Sequence, residues 1–144
     1  MRTGPVEIDD VVEICHGSPF DEDVYIFDDL DARRALSVTT RPLCLFGHTH
    51  VVAGYHVSRE MQSVGNIDDT AIHIPNNDGS RFLINCGAVG QPRDGDPRAA
   101  FGILDSSART LSLARVEYDV SAAQAKIVAA GLPDVLAQRL AVGR

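Results

Sequence analysis

Two short motifs place histidines directly after apolar runs that are typical of buried strands. Gly47-His48-Thr49-His50 follows Leu43-Cys44-Leu45-Phe46, and His16-Gly17-Ser18-Pro19 follows Val11-Val12-Glu13-Ile14-Cys15. Neutral imidazole is the commonest metal ligand near neutral pH. The two junctions therefore indicate a site for one or two metal ions at the strand ends. The spacing alone is equally compatible with structural histidines whose hydrogen bonds are satisfied within the fold.

These linked motifs resemble the C-terminal half of a calcineurin-like metallophosphoesterase, in the branch of small prokaryotic phosphodiesterases and phosphatases. The resemblance continues in NCGAVGQPRDGDPR at 85–98 and in Gly131-Leu132-Pro133 before a short final helix. It implies a mixed α/β fold that forms the C-terminal part of an α-β-β-α sandwich, with a mixed sheet and terminal helices. Residues 1–144 would then be a partial domain without its N-terminal metal-binding motifs.

The resemblance also implies roles for individual residues. His16 and His48 would bind one metal ion and His50 the other, in a centre that hydrolyses phosphomonoesters or phosphodiesters. The ions would be divalent Mn, Fe, Zn, Co or Ni, all of which accept imidazole. Apart from the resemblance, the residue type alone makes Arg93 a candidate to bind a phosphoryl oxygen of the substrate. No catalytic residue is assigned, because the general acid of the family lies in a Gly-Asn-His motif that this sequence lacks.

Two further motifs of the family are absent, Asp-x-His and Gly-Asp-x-x-Asp. Gly65-Asn66 and Gly95-Asp96 are in the wrong order to replace them and are interpreted as loop turns. We expect a truncated frame or one piece of a split protein, with little or no phosphoesterase activity alone. It would associate with itself or with a separately encoded N-terminal half. The alternative is a noncatalytic metal-binding or interaction module.

Composition and charge narrow the class of protein. A chain of 144 residues with 44% hydrophobic and 23% charged residues suits one globular domain. The net charge of −7 argues against duplex nucleic-acid binding, although a phosphorylated small molecule or a nucleotide remains a suitable substrate because bound cations supply local positive charge. Without a membrane-spanning or signal pattern, and with an odd number of cysteines, a cytoplasmic protein with reduced thiols is expected.

Several other side chains have two interpretations. Arg93 either clamps a phosphoryl group from the loop at 87–96 or pairs with Asp94 or Asp96. Tyr25 and Phe27 either line a substrate pocket or pack under their loop. His56 and His73 are more typical of ordinary strand positions than of ligands. The acidic run at 21–23 is more typical of a solvated loop than of a metal site.

The sequence pattern also predicts the elements that carry these residues. Strands are expected at 7–15, 43–46, around Tyr55 and Val57, at 71–74 and at 82–86, with a polar turn around 65–69. Residues 100–104 and 111–116 should pair as a hairpin. Asp29 should cap a helix that ends near Ser37. A capping box of Ser121 and Gln124 should start a helix ending at Gly131, before a last helix at 133–141.

Overall fold

The fold is known from a computed structural model that describes residues 4–58, 64–66, 70–76 and 78–144. Among these residues, six strands form a mixed sheet in the order β1-β2-β3-β7-β4-β5, and three form a second sheet in the order β6-β9-β8. The strands are β1 (Val6–Glu7), β2 (Val12–Ile14), β3 (Leu43–Phe46), β4 (Val52–Val57), β5 (Val64–Asn66), β6 (Ala71–His73), β7 (Arg81–Cys86), β8 (Ala99–Asp105) and β9 (Thr110–Val116). The helices are α1 (Asp29–Leu36), α2 (Val120–Ala129) and α3 (Asp134–Gln138), and a 3-10 helix covers Arg139–Val142.

The centre of the large sheet is parallel. Strand β2 pairs in parallel with β3, and β3 pairs in parallel with β7, whereas β1, β4 and β5 join antiparallel. Parallel strands are covered on both faces, which explains the continuous apolar run of β3. Because the three parallel strands point the same way, the residues that follow them meet at one edge of the sheet.

Each face of the large sheet carries its own hydrophobic core. Side chains alternate along a strand, so Cys44 and Phe46 pack toward helix α1 while Leu43 packs toward the small sheet. The first core includes Ala32, Ala35, Leu36, Tyr55, Val57 and Leu83. The second joins the two sheets through Val12, Ile72, Ile74, Ile84 and Leu111. The predicted mixed α/β architecture is confirmed, with the small sheet wholly antiparallel.

The single strand predicted at 7–15 is wrong. Strands β1 and β2 instead form a hairpin in which Val6 lies opposite Ile14. The turn forms because Oδ1 of Asp9 accepts hydrogen bonds from the backbone N–H groups of Val11 and Val12, at 2.7 and 2.9 Å. Such Asx turns compete with a continuous strand.

The helices are close to their predicted positions, but their N-caps differ. Asp28, rather than Asp29, caps α1 and accepts from the backbone N–H groups of Leu30 and Asp31. Asp119 caps α2 through the N–H of Ala122, so the capping box of Ser121 and Gln124 is wrong. The amide of Gln124 instead donates to the Ala137 carbonyl at 2.9 Å, which ties α2 to α3.

The hairpin predicted at 100–104 and 111–116 is confirmed as β8 and β9. Gly65 and Asn66 lie in strand β5 rather than in a turn, and 67–69 fall outside the described residues. The last predicted helix is split into α3 and the 3-10 helix. His73 is exposed, and His56 is half-buried with its ring stacked near Phe82. In the part of the chain that the structure describes, no helix has the length and apolar character needed to cross a membrane.

Candidate metal centre

The three histidines lie at the edge where the parallel strands end. His16 follows β2, and His48 and His50 follow β3. The two strand ends are joined directly, because the backbone N–H of Gly47 donates to the carbonyl of His16 at 2.8 Å. Hydrogen-bonded pairing of β2 and β3 therefore brings together histidines that are 32 residues apart in the sequence.

The backbone of the His48 turn is strained. The N–H of Thr49 donates to the Gly47 carbonyl at 2.8 Å, and His48 between them has φ of 69°. This combination is that of the rare γ-turn with a positive central φ. His50 also lies in the left-handed region, with φ of 61°. Non-glycine residues persist there only when their surroundings enforce the conformation, and such residues cluster at functional sites.

A buried pair of polar side chains enforces this conformation. Asn85, at the end of β7, is fully buried and Thr49 is only 5% exposed. The side-chain amide of Asn85 donates to the Gly47 carbonyl and to the Thr49 hydroxyl, both at 2.9 Å, and its oxygen accepts from the N–H of Gly87. The third parallel strand thereby fixes the turn that carries His48 and His50.

The spacing of the ring nitrogens of His16 and His48 is compatible with two ligands of one ion. Nε2 of His16 lies 3.0 Å from Nδ1 of His48, and the rings meet edge to face. Two nitrogens bound to one ion at ~2.0–2.1 Å, at roughly a right angle, are about 3 Å apart. One of these nitrogens donates a hydrogen bond to the other. The donor pair therefore fits a divalent ion of the kind that imidazole prefers.

His50 is held separately. Its Nδ1 lies 2.9 Å from the carbonyl oxygen of Gln91. A carbonyl only accepts, so Nδ1 carries a proton, and in the neutral ring the lone pair is then on Nε2. Metal-binding histidines show this second contact, which fixes the tautomer and the ring orientation.

The predicted ligands are thus brought to one edge but not into one cluster. Among residues 4–58, 70–76 and 78–144, no group of three or more His, Cys, Asp or Glu side chains is placed to hold a metal ion. His16 and His48 form a pair, and His50 faces the loop at 87–96. The assignment of the three histidines as metal ligands remains a prediction.

Arg93 lies in that loop, next to His50. Its backbone N–H donates to the His50 carbonyl at 3.0 Å, while its exposed guanidinium contacts the side-chain oxygen of Gln91 at 3.2 Å. The side-chain contact seen for Arg93 is this amide oxygen. It is not the carboxylate of Asp94 or of Asp96, which were the predicted alternative partners. Asp94 pairs with Arg115, and Asp96 pairs with Arg98.

Asp94 ties the loop to both sheets. Its carboxylate contacts the Arg115 guanidinium of β9 at 2.5 Å and accepts from the N–H of Val52 at the start of β4, at 3.1 Å. Burial alone would raise the pKa of Asp94, but these hydrogen bonds and the charge of Arg115 outweigh it and lower the pKa below the ordinary value. A further bond joins this loop to the end of the chain, from the N–H of Gly95 to the Gly143 carbonyl at 3.0 Å.

Two side chains next to the histidine motifs, those of Tyr25 and Cys15, have different surroundings. The Tyr25 ring stacks on His48 with centroids 3.9 Å apart, so it borders the histidines. Sγ of Cys15 lies 3.7 Å from Sγ of Cys44 and packs against the core. The contact with Cys15 and burial raise the pKa of the Cys44 thiol, which suits a reduced core cysteine.

Sequence patterns missed the residues that position the histidines. Asn85, Thr49 and Gln91 were not assigned any role. The sequence did contain one signal, since Asn85 is a polar residue inside the apolar run of β7. A buried amide needs hydrogen-bond partners, so such a residue indicates a structural contact at that position. The roles of Thr49 and of the Gln91 carbonyl depend on contacts between distant segments, which periodicity does not report.

Known proteins resemble this chain in sequence and in structure. No protein-family model matches it. An uncharacterized protein of Methanocaldococcus jannaschii, MJ0912, is 47% identical over 64 residues, which are 44% of this chain and 26% of that protein. The crystal structure of a metallophosphoesterase from Sphaerobacter thermophilus superposes with a TM-score of 0.79 at 34% identity, covering 98% of this chain and 58% of that one.

A second solved structure supports the fold alone. The hypothetical protein PH1004 from Pyrococcus horikoshii OT3 has a TM-score of 0.59 at 17% identity, over 92% of this chain and 46% of that one. This chain therefore spans only about half the length of the solved structures that it matches. It has the fold of one part of a metallophosphoesterase, as the histidine motifs predict.

Proposed function

We propose that this chain supplies histidine ligands to a divalent-metal centre that hydrolyses phosphomonoesters or phosphodiesters. The observation that carries the proposal is the 3.0 Å separation of Nε2 of His16 and Nδ1 of His48, at the shared end of parallel strands. The similarity of nearly the whole chain to part of a metallophosphoesterase supports the same chemistry.

The residues of this chain have distinct parts in such a centre. A divalent metal would supply Lewis acidity there and would lower the pKa of a bound water. His16 and His48 would hold one ion, and His50, oriented by the Gln91 carbonyl, would present Nε2 to a second. Among the described residues, the exposed guanidinium of Arg93 contacts the neutral side-chain oxygen of Gln91, so it is available to bind a phosphoryl oxygen.

A complete two-metal centre needs oxygen ligands beyond these imidazoles. A bridging carboxylate reduces the repulsion between two cations, and the sequence has no Asp-x-His or Gly-Asp-x-x-Asp motif to provide one. We therefore propose that these 144 residues alone hydrolyse phosphoesters slowly or not at all. Activity would require an additional segment of the kind present in the longer relatives, or a second copy of the chain.

The second candidate function is a noncatalytic metal-binding or interaction module. It is favoured by one observation, that no third His, Cys, Asp or Glu of the described residues joins the His16–His48 pair. Both candidate functions predict that the chain binds metal ions. Only the catalytic one predicts hydrolysis of a phosphoester once the missing ligands are supplied.

Metal content distinguishes these ideas from structural histidines. The purified chain would be loaded with Mn, Fe, Zn, Co or Ni, dialysed and analysed by elemental mass spectrometry, beside His48→Ala, His50→Ala and the control His73→Ala. We expect about one tightly held ion per chain, lost in His48→Ala and kept in His73→Ala. Absence of metal from the parent chain would overturn the proposal.

A phosphodiesterase assay on the same samples completes the test. Hydrolysis that depends on metal and is lost in His48→Ala would show a working centre and overturn the expectation of an inactive chain. Metal binding without turnover is the expected result. Turnover that then appears on adding the N-terminal part of a longer relative would favour the catalytic candidate over the noncatalytic module.

A further inference from the structure

Two of the three cysteines lie against each other at the ends of strands β2 and β3. Sγ of Cys15 is 3.7 Å from Sγ of Cys44, and both thiols are free. Both side chains pack on the side of helix α1, where Cys44 is fully buried and Cys15 lies at the margin of the same core. The third cysteine, Cys86, packs against the other core, across the large sheet. The strand pairing therefore brings together one pair of thiols and leaves Cys86 apart from it.

The thiol pair is linked directly to the histidine edge. Cys15 precedes His16, and these two residues make successive backbone hydrogen bonds to the end of β3 and the turn after it. The N–H of Cys15 donates to the Leu45 carbonyl at 3.0 Å, and the carbonyl of His16 accepts from the N–H of Gly47 at 2.8 Å. A shift of the Cys15 backbone is therefore expected to move His16 relative to His48, whose ring nitrogen is 3.0 Å away.

A disulfide between these two sulfurs requires a small movement of that backbone. An S–S bond is about 2.05 Å long, so the sulfurs must approach each other by roughly 1.7 Å. Ile14 lies beside Leu45 in the strand register, so Cys15 is placed diagonally from Cys44 rather than directly opposite. Such diagonal Cα atoms are roughly 8 Å apart, whereas a disulfide usually spans about 4.4–6.8 Å. The bond would therefore draw Cys15, which follows the last residue of β2, toward Cys44.

The strain in such a bond would make it reversible. Disulfides that deviate from the preferred geometry are more readily reduced, and strained ones are typical of regulatory pairs. The resting state is the dithiol, in which Sγ of Cys15 also contacts the Gly17 carbonyl oxygen at 3.2 Å. Contact with Cys15 and burial raise the pKa of the Cys44 thiol, so Cys44 stays protonated. The half-buried Cys15 is therefore the residue that an oxidant from solvent meets first.

We propose that hydrogen peroxide converts Cys15 and Cys44 into a reversible disulfide that weakens metal binding by His16 and His48. This inference rests on the proposed metal centre and names a way of regulating it. The Cys15 sulfur takes one oxygen of the peroxide as its O–O bond breaks, and the other oxygen leaves as water. The Cys44 sulfur then attacks the sulfenic acid on Cys15, which forms the S–S bond and releases a second water. In total the thiols lose two electrons and two protons, and the peroxide is reduced to water.

The effect on metal binding follows from the spacing of the ring nitrogens. Two nitrogens that share an ion at ~2.0–2.1 Å must stay about 3 Å apart. The turn that carries His48 is held by the Asn85 side chain, which bonds to the Gly47 carbonyl and to the Thr49 hydroxyl. A movement of His16 alone therefore changes the spacing of the pair. Loss of ligand orientation lowers metal affinity about 10- to 100-fold, and we expect a decrease in that range on oxidation.

The first experiment detects the bond without any metal. The chain is treated with hydrogen peroxide, its remaining thiols are blocked by alkylation, and its digest is analysed by mass spectrometry before and after reduction. A peptide pair linked through Cys15 and Cys44 should form in the parent chain and disappear on reduction. Cys86→Ser should form the same link, because Cys86 lies in the other core, whereas Cys15→Ser should not. If Cys15 of the parent chain stays a thiol, or proceeds to sulfinic acid without forming the link, the proposal is overturned.

The second experiment measures the effect on the histidine pair. After removal of peroxide or reductant, the oxidised and reduced chains are titrated with Zn²⁺ by calorimetry, since zinc itself has no redox chemistry. Oxidation should weaken zinc binding about 10- to 100-fold in the parent chain and in Cys86→Ser. It should leave zinc binding unchanged in Cys15→Ser. Reduction of the oxidised parent chain should restore the original affinity.

The outcomes separate this regulation from the metal centre itself. If the disulfide forms but both redox states bind zinc equally well, the regulatory proposal is wrong and the metal centre stands. If the reduced parent chain binds no zinc, the metal centre is wrong and its regulation fails with it, even where the linked peptides are found. If reduced Cys15→Ser has already lost zinc binding, the thiols rather than the histidines hold the ion, and the proposed switch is overturned.

Discussion

Thr49 lies between His48 and His50 in the sequence. Its buried hydroxyl stabilises the turn that carries both histidines. It accepts hydrogen bonds from the Asn85 amide and from the N–H of Val51, at 2.9 and 3.2 Å. His48 and His50, on either side, both have positive φ. The cost of that backbone is offset by the buried network, so the network and the ligand geometry should be lost together.

Thr49→Val is the direct test of this coupling. It removes the acceptor and should lower the free energy of unfolding by about 1–3 kcal/mol, because buried donors lose their partner. It should also weaken metal binding about 10- to 100-fold, since the ligands are no longer oriented. Calorimetric metal titration and denaturant unfolding measure the two effects.

The matched control is Thr39→Val. Thr39 is equally buried, at 5% exposure, and its hydroxyl donates to the Leu36 carbonyl far from the histidines. It should lower stability without changing metal affinity. Equal metal affinities in the two variants would show that the Thr49 network is structural only.

The pairing of Asp94 with Arg115 gives stability a defined pH dependence. The pKa of Asp94 is lower in the folded protein than in the unfolded chain, so its ionised form favours folding. This contribution is present above the ordinary Asp pKa of about 4 and is lost as the pH falls through the lower, folded value. At neutral pH, Asp94→Asn should cost about 1–3 kcal/mol.

The difference between the parent chain and Asp94→Asn should shrink as the pH is lowered below about 4. Urea unfolding at a series of pH values measures it. Arg115→Met should reduce the same pH dependence, and the double variant reports the coupling of the pair. A difference that stays constant with pH would contradict the assigned role of Asp94.

The sequence alone indicated the histidine motifs as a candidate site. It did not indicate the residues that hold these histidines in position. Histidines that follow apolar runs are visible in one dimension, because strand and turn propensities are local. The contacts of Asn85 with Gly47 and of His50 with Gln91 join segments about 40 residues apart, and no local pattern encodes them. The pairing of β2, β3 and β7 creates them.

At the scale of elements, the parallel strands fix where the site forms. Strands β2, β3 and β7 end side by side, and each is followed by a turn that contributes to the same edge. The turn after β7 begins at Gly87, which has φ of +84°. A Cβ there would lie 2.7 Å from Cβ of Ala100 and 2.8 Å from Cγ2 of Val52, so the two sheets approach closely at this glycine.

Gly87→Ala should therefore destabilise the protein by about 2–4 kcal/mol, combining a left-handed backbone with overpacking. Gly90→Ala, in the same loop, is the control, because a Cβ at that position meets nothing within 4 Å. Thermal unfolding measures the transition temperatures of the two variants. Equal transition temperatures would show that the sheets can separate at Gly87 without cost.

The sequence predicted the elements best where the apolar residues follow the pattern of a single element type. Strand β3 and the β8–β9 hairpin follow their apolar patterns and were placed within a residue or two. The predictions failed where a short polar side chain redirects the backbone. Asp9 breaks the first strand, and Asp119 caps α2 two residues before the expected box.

At the scale of the whole molecule, no further strand of the described residues pairs with one end of the large sheet. Strand β1 is the outermost in the sheet order, and the cross-strand neighbours Val6 and Ile14 are 47% and 41% exposed. Ile8, just beyond β1, is 58% exposed. An apolar open edge is a template for pairing with another strand.

We expect the chain to associate through this edge, with itself or with a further segment of a longer protein. Val6→Lys should weaken self-association, because edge lysines disfavour strand pairing. Val38→Lys, which introduces the same charge between α1 and β3, should not. Sedimentation velocity over a wide concentration range measures the effect. A parent chain that is monomeric throughout would contradict this expectation.

The bond between Gly95 and Gly143 has a practical consequence for handling the protein. The last turn is closed by Arg139, whose carbonyl accepts from the N–H of Arg144 at 3.1 Å. Gly143 packs so closely on Asp96 that a Cβ would lie 2.6 Å from its backbone nitrogen. An affinity tag fused after Arg144 would disturb the loop at 87–96, whose Gln91 carbonyl orients His50. Tags and fluorophores therefore belong at the other terminus, and a tag of histidines would in any case compete for the ions under study.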